Sequence, residues 1–149
     1  MTTNLSSTIH TYESLQIGDT FKGTHVITEE DVRTFAAITG DDNPIHVDAE
    51  YAKTTRFGKP IVHGVFLLGI ISKVLGRDFP GPGSIAVSLS CRFLRPVPVG
   101  SEITVEVKIT GKIEKHKHIK GRTYVYYKGK MALAGEATLI PPTNDTDPA

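Results

Sequence analysis

Residues 39–46 read Thr-Gly-Asp-Asp-Asn-Pro-Ile-His, which places a carboxylate at Asp41 and an imidazole at His46 within one short segment. The two groups titrate on either side of neutrality, the combination that general acid–base chemistry on a bound water requires. A carboxylate can also orient a neutral imidazole and leave one ring nitrogen free as an acceptor. Pro44 lacks a backbone donor and pushes Asn43 out of the α region, so the segment turns instead of running helical throughout. Such a turn can bring the two side chains to a common point. The same residues are also ordinary loop punctuation, and read alone the segment leaves both readings open.

The elements on either side decide how that turn is presented. Upstream, residues 21–27 suit a strand, and Thr28 opens a helix with Asp31 in the position of a capping acid. Val32, Phe35, Ala36 and Ile38 repeat at helical spacing, and Gly40 suits a left-handed helix end that delivers the chain to Asp41. Downstream, Asp48 caps a short helical turn over residues 49–53. Residues 61–75 form the most hydrophobic stretch, with polar side chains only at His63, Ser72 and Lys73. This predicts a helix buried on most sides, ended by Gly76 and the Pro80-Gly81-Pro82-Gly83 turn. A bilayer span needs about 20 apolar residues, more than are present.

From Ser84 the period changes to two. Ile85, Val87, Leu89, Cys91 and Phe93 alternate with smaller or polar residues, as do Ile103, Val105, Val107 and Ile109, predicting half-buried antiparallel strands. Residues 124–127 and 131–140 supply two more, joined near Lys128-Gly129-Lys130. The economical architecture is α+β: one antiparallel sheet curled around the apolar helix. With 149 residues the chain suits one domain, over residues 14–140. Residues 1–13 are expected to form a flexible arm and residues 141–149 a disordered tail. Lys and Arg total 17 against 16 Asp and Glu, so no global field selects nucleic acid or a membrane surface. The single cysteine, Cys91, excludes an internal disulfide and a multi-cysteine metal site. With no basic and then apolar start, a cytoplasmic location is expected.

Gly-Asp-Asp-Asn-Pro-Ile-His (residues 40–46), Pro-Ile-Val-His-Gly (60–64), Gly-Pro-Gly-Ser (81–84) and Phe-Leu-Arg-Pro-Val (93–97), in this order, resemble the MaoC-like, (R)-specific enoyl-CoA hydratases of the hot-dog fold. The resemblance implies hydration of a trans-2-enoyl thioester to an (R)-3-hydroxyacyl thioester, with the reverse dehydration. It places the activity in fatty-acid metabolism and the supply of polyhydroxyalkanoate precursors. Carried over residue by residue, the catalytic pair falls on Asp41 and His46, the oxyanion donor on the backbone N–H of Gly64, and the family's helix serine on Ser72. No cofactor or metal is implied, since coenzyme A is part of the substrate. A homodimer with sheets joined edge to edge is expected. A 3-hydroxyacyl-ACP dehydratase, a hot-dog thioesterase and a non-catalytic acyl-thioester binder are the alternatives.

Each supporting residue also has a plainer role. Asn43 orients Asp41 or the water, or simply makes the turn. His63, at a helix start, reads as a structural neutral histidine. Ser72 bonds in the site or to its own helix backbone. Cys91 reads as a small core residue. The basic stretch over residues 112–122 reads as a solvated hairpin end, with a contact to coenzyme A phosphates as the rival. His116 and His118 lack acidic or thiol companions for a metal site.

Overall fold

Period-two burial is sharpest between residues 103 and 109. Ile103, Val105, Val107 and Ile109 are no more than 1% exposed, while the residues between them face outward. In the computed structural model, which describes residues 9–145, this segment belongs to a five-stranded antiparallel sheet. Its strands are β1 (Thr20–Val26), β2 (Ile85–Phe93), β3 (Glu102–Ile113), β4 (His118–Tyr127) and β5 (Lys130–Ile140), in the spatial order β1-β3-β4-β5-β2. Between β1 and β2 run α1 (Glu29–Thr39), α2 (Pro44–Val47), α3 (Ala49–Lys53) and α4 (Gly64–Lys73). This is the expected hot-dog arrangement. Leu67, Ile70 and Ile71 of α4 are buried in the core, together with Val74 and Leu75 beyond it. Each such side chain contributes about 1.5–3 kcal/mol by leaving water.

The apolar helix differs from expectation at both ends. It starts at Gly64, three residues late, because Ile61 bridges to Pro98 and the Val62 N–H donates to Val97 O at 2.8 Å, holding that entry segment extended. It passes Gly76 as a π-helical turn, Val74–Asp78, closed by Phe79 N–H on Val74 O. Nor is it buried on most sides. Val65 is 63% exposed, and Gly69, Ser72 and Gly76 continue the same open stripe.

β2 departs from the half-buried pattern as well. Ile85, Val87 and Phe93 are 63%, 52% and 54% exposed, because the strand lies at the edge with β5 as its one partner and carries a bulge between Ala86 and Ser88. The basic segment is the end of the β3–β4 hairpin, with strand pairing carried far into it. β3 runs to Ile113 and β4 resumes at His118, so only residues 114–117 form the tip.

The inner part of the expected arm is docked on the body. Tyr12 is buried, its N–H donates to Pro142 O at 2.8 Å, and its hydroxyl donates to Glu114 Oε2 at 2.9 Å. The outer residues of the expected arm and tail, 1–8 and 146–149, lie outside the described residues. Among the described residues, no helix is long and apolar enough to cross a membrane.

Candidate active site

The turn that carries Asp41 and His46 is built from local hydrogen bonds that the sequence signals. Thr28 and Asp31 close a reciprocal capping box at the start of α1, and Gly40 ends the helix at φ 80°, a conformation that favours glycine. Beyond it, the Asp41 N–H donates to Thr39 Oγ1 at 3.2 Å, and the Asn43 N–H donates to Asp41 Oδ1 at 3.3 Å. Asn43 Oδ1 accepts the Ile45 N–H at 3.3 Å and caps α2, with Pro44 in the first helical turn. The Asn43 side chain therefore makes the turn, and its backbone N–H steadies the Asp41 carboxylate.

α2 turns His46 inward. His46 Nδ1 lies 2.7 Å from Ile61 O. A carbonyl only accepts, so Nδ1 carries the ring proton and Nε2 is the open acceptor. His63, 2% exposed, places Nε2 2.9 Å from the backbone oxygen of Asp41, so this nitrogen is the donor. Among the described residues, its buried Nδ1 has no partner. The imidazoles of His46 and His63 stack with centroids 3.9 Å apart. Behind them Phe35 of α1 lies 4.7 Å from the His63 ring and 4.8 Å from that of Phe66. A series of contacts among four rings thus runs from α4 and α1 to the turn that carries Asp41 and His46. Partial burial holds the His46 imidazole below its ordinary pKa, a shift to which nearby His63 adds and which the Ile61 carbonyl and Asp41 oppose.

Asp41, His46 and His63 bring one ligand-type atom each to within 4.8 Å of one another. The sequence reading expected no metal, and stacking makes this set poorly disposed for one. Rings stacked 3.9 Å apart at 27° hold their in-plane lone pairs in nearly parallel planes, which meet far beyond a metal–nitrogen bond of about 2 Å. The same separation suits a water held between carboxylate and imidazole.

Gly64 is the first residue of α4, and among the described residues no acceptor lies on its N–H. Such a donor at a helix start is available to a ligand, and the helix dipole adds partial positive charge there. His46 and Gly64 line one cleft of about 450 Å³, walled by Ile61, Val65, Leu67, Phe93 and Leu94, with Arg56 and Arg95 also on its lining. The Phe93 ring lies so close that a Cβ built on Gly64 would meet it at 2.8 Å.

The fold therefore brings together Asp41, His46, His63 and, through the cleft, Gly64. Ser72 does not join them within one chain. Eight residues along α4 from Gly64, about 12 Å at the helical rise, it is exposed. Cys91 is half-buried on β2, and burial pushes its thiol up, away from nucleophilic character. Sequence reasoning missed three participants: Ile61, Phe35 and Phe93. Ile61 acts through a carbonyl that leaves no mark in residue type. Phe35 was legible only as a helix-face residue, and Phe93 only as part of a motif.

A sequence model described as MaoC like domain matches residues 14–131. The (R)-specific enoyl-CoA hydratase of Rhodospirillum rubrum is 39% identical over 134 residues, covering 90% of this chain and 93% of that protein. The unliganded R-hydratase PhaJ1 of Pseudomonas aeruginosa superposes with TM-score 0.86 at 37% identity, covering 90% of this chain and 86% of that one. An (R)-hydratase of Aeromonas caviae involved in polyhydroxyalkanoate biosynthesis gives TM-score 0.85 at 37% identity, covering 87% and 99%. The chain belongs to the MaoC-like family.

Proposed function

We propose that this chain is a lyase that adds water across trans-2-enoyl-CoA to give (R)-3-hydroxyacyl-CoA, and runs the reverse dehydration. The observation that carries the reading is the convergence of the Asp41 carboxylate and a His46 ring nitrogen beside a cleft into which the free Gly64 N–H opens. In this mechanism the acyl thioester enters the cleft with its carbonyl oxygen toward Gly64 N–H. Asp41 and His46 hold one water between them. Its oxygen bonds to C3 as its proton passes to the dyad, the C2=C3 electron pair moves to C2 and the thioester carbonyl, and the dyad returns a proton to C2. His46 takes part through Nε2, since Nδ1 is committed to Ile61 O. Charge gathering on the thioester oxygen meets the Gly64 donor, a contact of the kind worth about 3–4 kcal/mol in comparable sites.

Coenzyme A is the carrier in this reading, supported by the high-coverage similarity to an enoyl-CoA hydratase. The protein needs no cofactor and works in the cytoplasm. The assembly is a homodimer paired through β2, supported by the apolar side chains that this edge leaves open. Sedimentation at micromolar concentration reads the dimer, and a single-chain mass with full activity defeats it.

The function is tested by incubating the protein with enoyl-CoA esters of increasing chain length and, in parallel, a carrier-protein thioester. The expected result is gain of one water on the acyl chain of the CoA esters, with the (R) configuration at C3. Free thiol release would make it a thioesterase, and no conversion a binding subunit.

A further inference from the structure

His63 is the one buried histidine among the described residues, yet nothing in the reaction above uses it. It caps the start of α4 without a side-chain capping bond, so helix initiation does not explain its identity. Simple core filling does not explain it either. An imidazole buried to 2% exposure with Nδ1 unpartnered among the described residues costs more than an apolar ring of the same size, because the orphaned nitrogen has given up its bond to water. A cost of that kind persists where the residue does something else.

Two contacts indicate what that is. Nε2–H reaches 22 residues back along the chain to the main-chain oxygen of Asp41, 2.9 Å away. The ring face lies 3.9 Å from His46, with Phe35 at 4.7 Å behind it. One side chain thus touches both halves of the dyad without presenting a group to the substrate. Asp41 sits in an exposed turn, and its own other hydrogen bonds among the described residues are local ones, from its N–H to Thr39 Oγ1 at 3.2 Å and from the Asn43 N–H to its Oδ1 at 3.3 Å. The His63 tether is the shorter contact and the one anchored in the core.

Given the dyad reading of the proposed function, we infer that His63 is a positioning residue that sets the separation of Asp41 and His46. It tethers the first by its backbone and supports the second by its ring face. The sequence distance between the partners makes this a tertiary lock: α4 must dock before the catalytic turn acquires its working geometry. Misplacement of reacting groups by about 1 Å can cost about a hundredfold in rate.

Two variants separate the contacts. His63→Phe keeps a ring face and removes the donor; His63→Gln keeps an N–H donor and removes the ring. Expected for His63→Phe is a kcat lower by about a hundredfold with KM within about twofold, together with faster amide hydrogen exchange at residues 41–43. Expected for His63→Gln is a smaller loss of kcat, unchanged exchange at 41–43, and a mixture of His46 ring tautomers by nitrogen NMR where the native protein shows one, because a ring without its stacking support swings off Ile61 O for part of the time. The exchange and NMR readouts need no turnover, so they hold even if the native protein fails to hydrate enoyl thioesters, a result that would sink the function and not the lock. If one variant does not fold, the other carries its own half of the test. Native kcat in either folded variant, or native exchange at 41–43 in His63→Phe, overturns the proposal.

Discussion

At the end of the sheet where β3 begins, the chain is held by neutral, main-chain contacts. Val62 N–H meets Val97 O at 2.8 Å, Val99 N–H meets Pro60 O at 3.0 Å, Gly100 N–H meets Ile27 O at 2.7 Å, and both site histidines bond carbonyls. At the opposite end, where β3 turns into β4, the fastenings are charged side chains. Tyr12 hydroxyl donates to Glu114, Lys112 Nζ donates to Leu15 O at 2.8 Å and lies 4.2 Å from the centre of the Tyr12 ring, and Lys117 pairs with Glu114. The Glu114 carboxyl is held below its usual range by its bonds to Lys117 and Tyr12. The difference keeps the charged fastenings of the frame at the end away from the turn that carries Asp41 and His46. It also places the basic hairpin tip at the end of its own sheet remote from the cleft, so a contact with substrate phosphates would have to reach across from another chain.

The comparison breaks most visibly at the dyad. Asp41→Asn and His46→Ala should each abolish most of the roughly hundred- to ten-thousand-fold that acid–base catalysis provides, with the double variant little worse than either. Melting temperature should barely move for Asp41→Asn, because Asn can still accept the Asn43 N–H and the carbonyl that His63 bonds is main chain. Near-normal turnover in that variant would reduce the turn to scaffolding.

Gly64→Val should come next. The sequence suggests that a helix start tolerates the change, but the structure adds a cost, since the new Cβ must displace the Phe93 ring. That ring is the far end of a side chain on an open edge, so it can move, and turnover should fall by more than stability. A folded variant with native kcat would remove Gly64 from the site.

A subtler effect lies in pH. Because burial lowers the His46 pKa from 6.5, its neutral form persists in the folded protein at pH values where the unfolded chain has taken up a proton. Stability contributed by His46 is therefore complete above about 6.5 and is lost as pH falls through the lower folded value. Hydration rate should decline through that same lower value, and an apparent pKa at or above 6.5 in the rate profile would contradict the assignment. The smallest effect should come from the charged end. Tyr12→Phe keeps the buried ring and removes the bond to Glu114, so it should lower the melting temperature slightly and leave kcat and KM unchanged; a change in kcat would show that the two ends are coupled.

What the sequence made legible follows from how local each signal is. α1 could be placed almost to the residue, because Thr28, Asp31 and Gly40 act within a few positions of themselves. β3 was legible because its alternation reports a face, and that face is buried. β2 carries the same alternation, yet burial there depends on a neighbour beyond the edge, which no periodicity encodes. The first three residues of the apolar stretch looked helical by composition and are extended because Val97 and Pro98, far along the chain, pair with them. Asp41 and His46 could be singled out by type, and Gly64 through the family resemblance. Their geometric support could not, since it comes from the oxygens of Ile61 and Asp41 and from the packing of Phe35 on His63.

The two carbonyl contacts bear on how such a site can change over generations. An oxygen that every amino acid carries cannot be lost by a codon change at its own position. Any residue at 61 offers the acceptor that fixes the His46 tautomer, and even replacement of Asp41 leaves the oxygen that His63 grips. The orientation of Asp41 and His46 is thus inherited with the path of the main chain, whereas Val65, Leu67 and Leu94 on the cleft wall are free to vary in size. Preference for short or long acyl chains can then drift by substitutions that never touch Asp41 or His46.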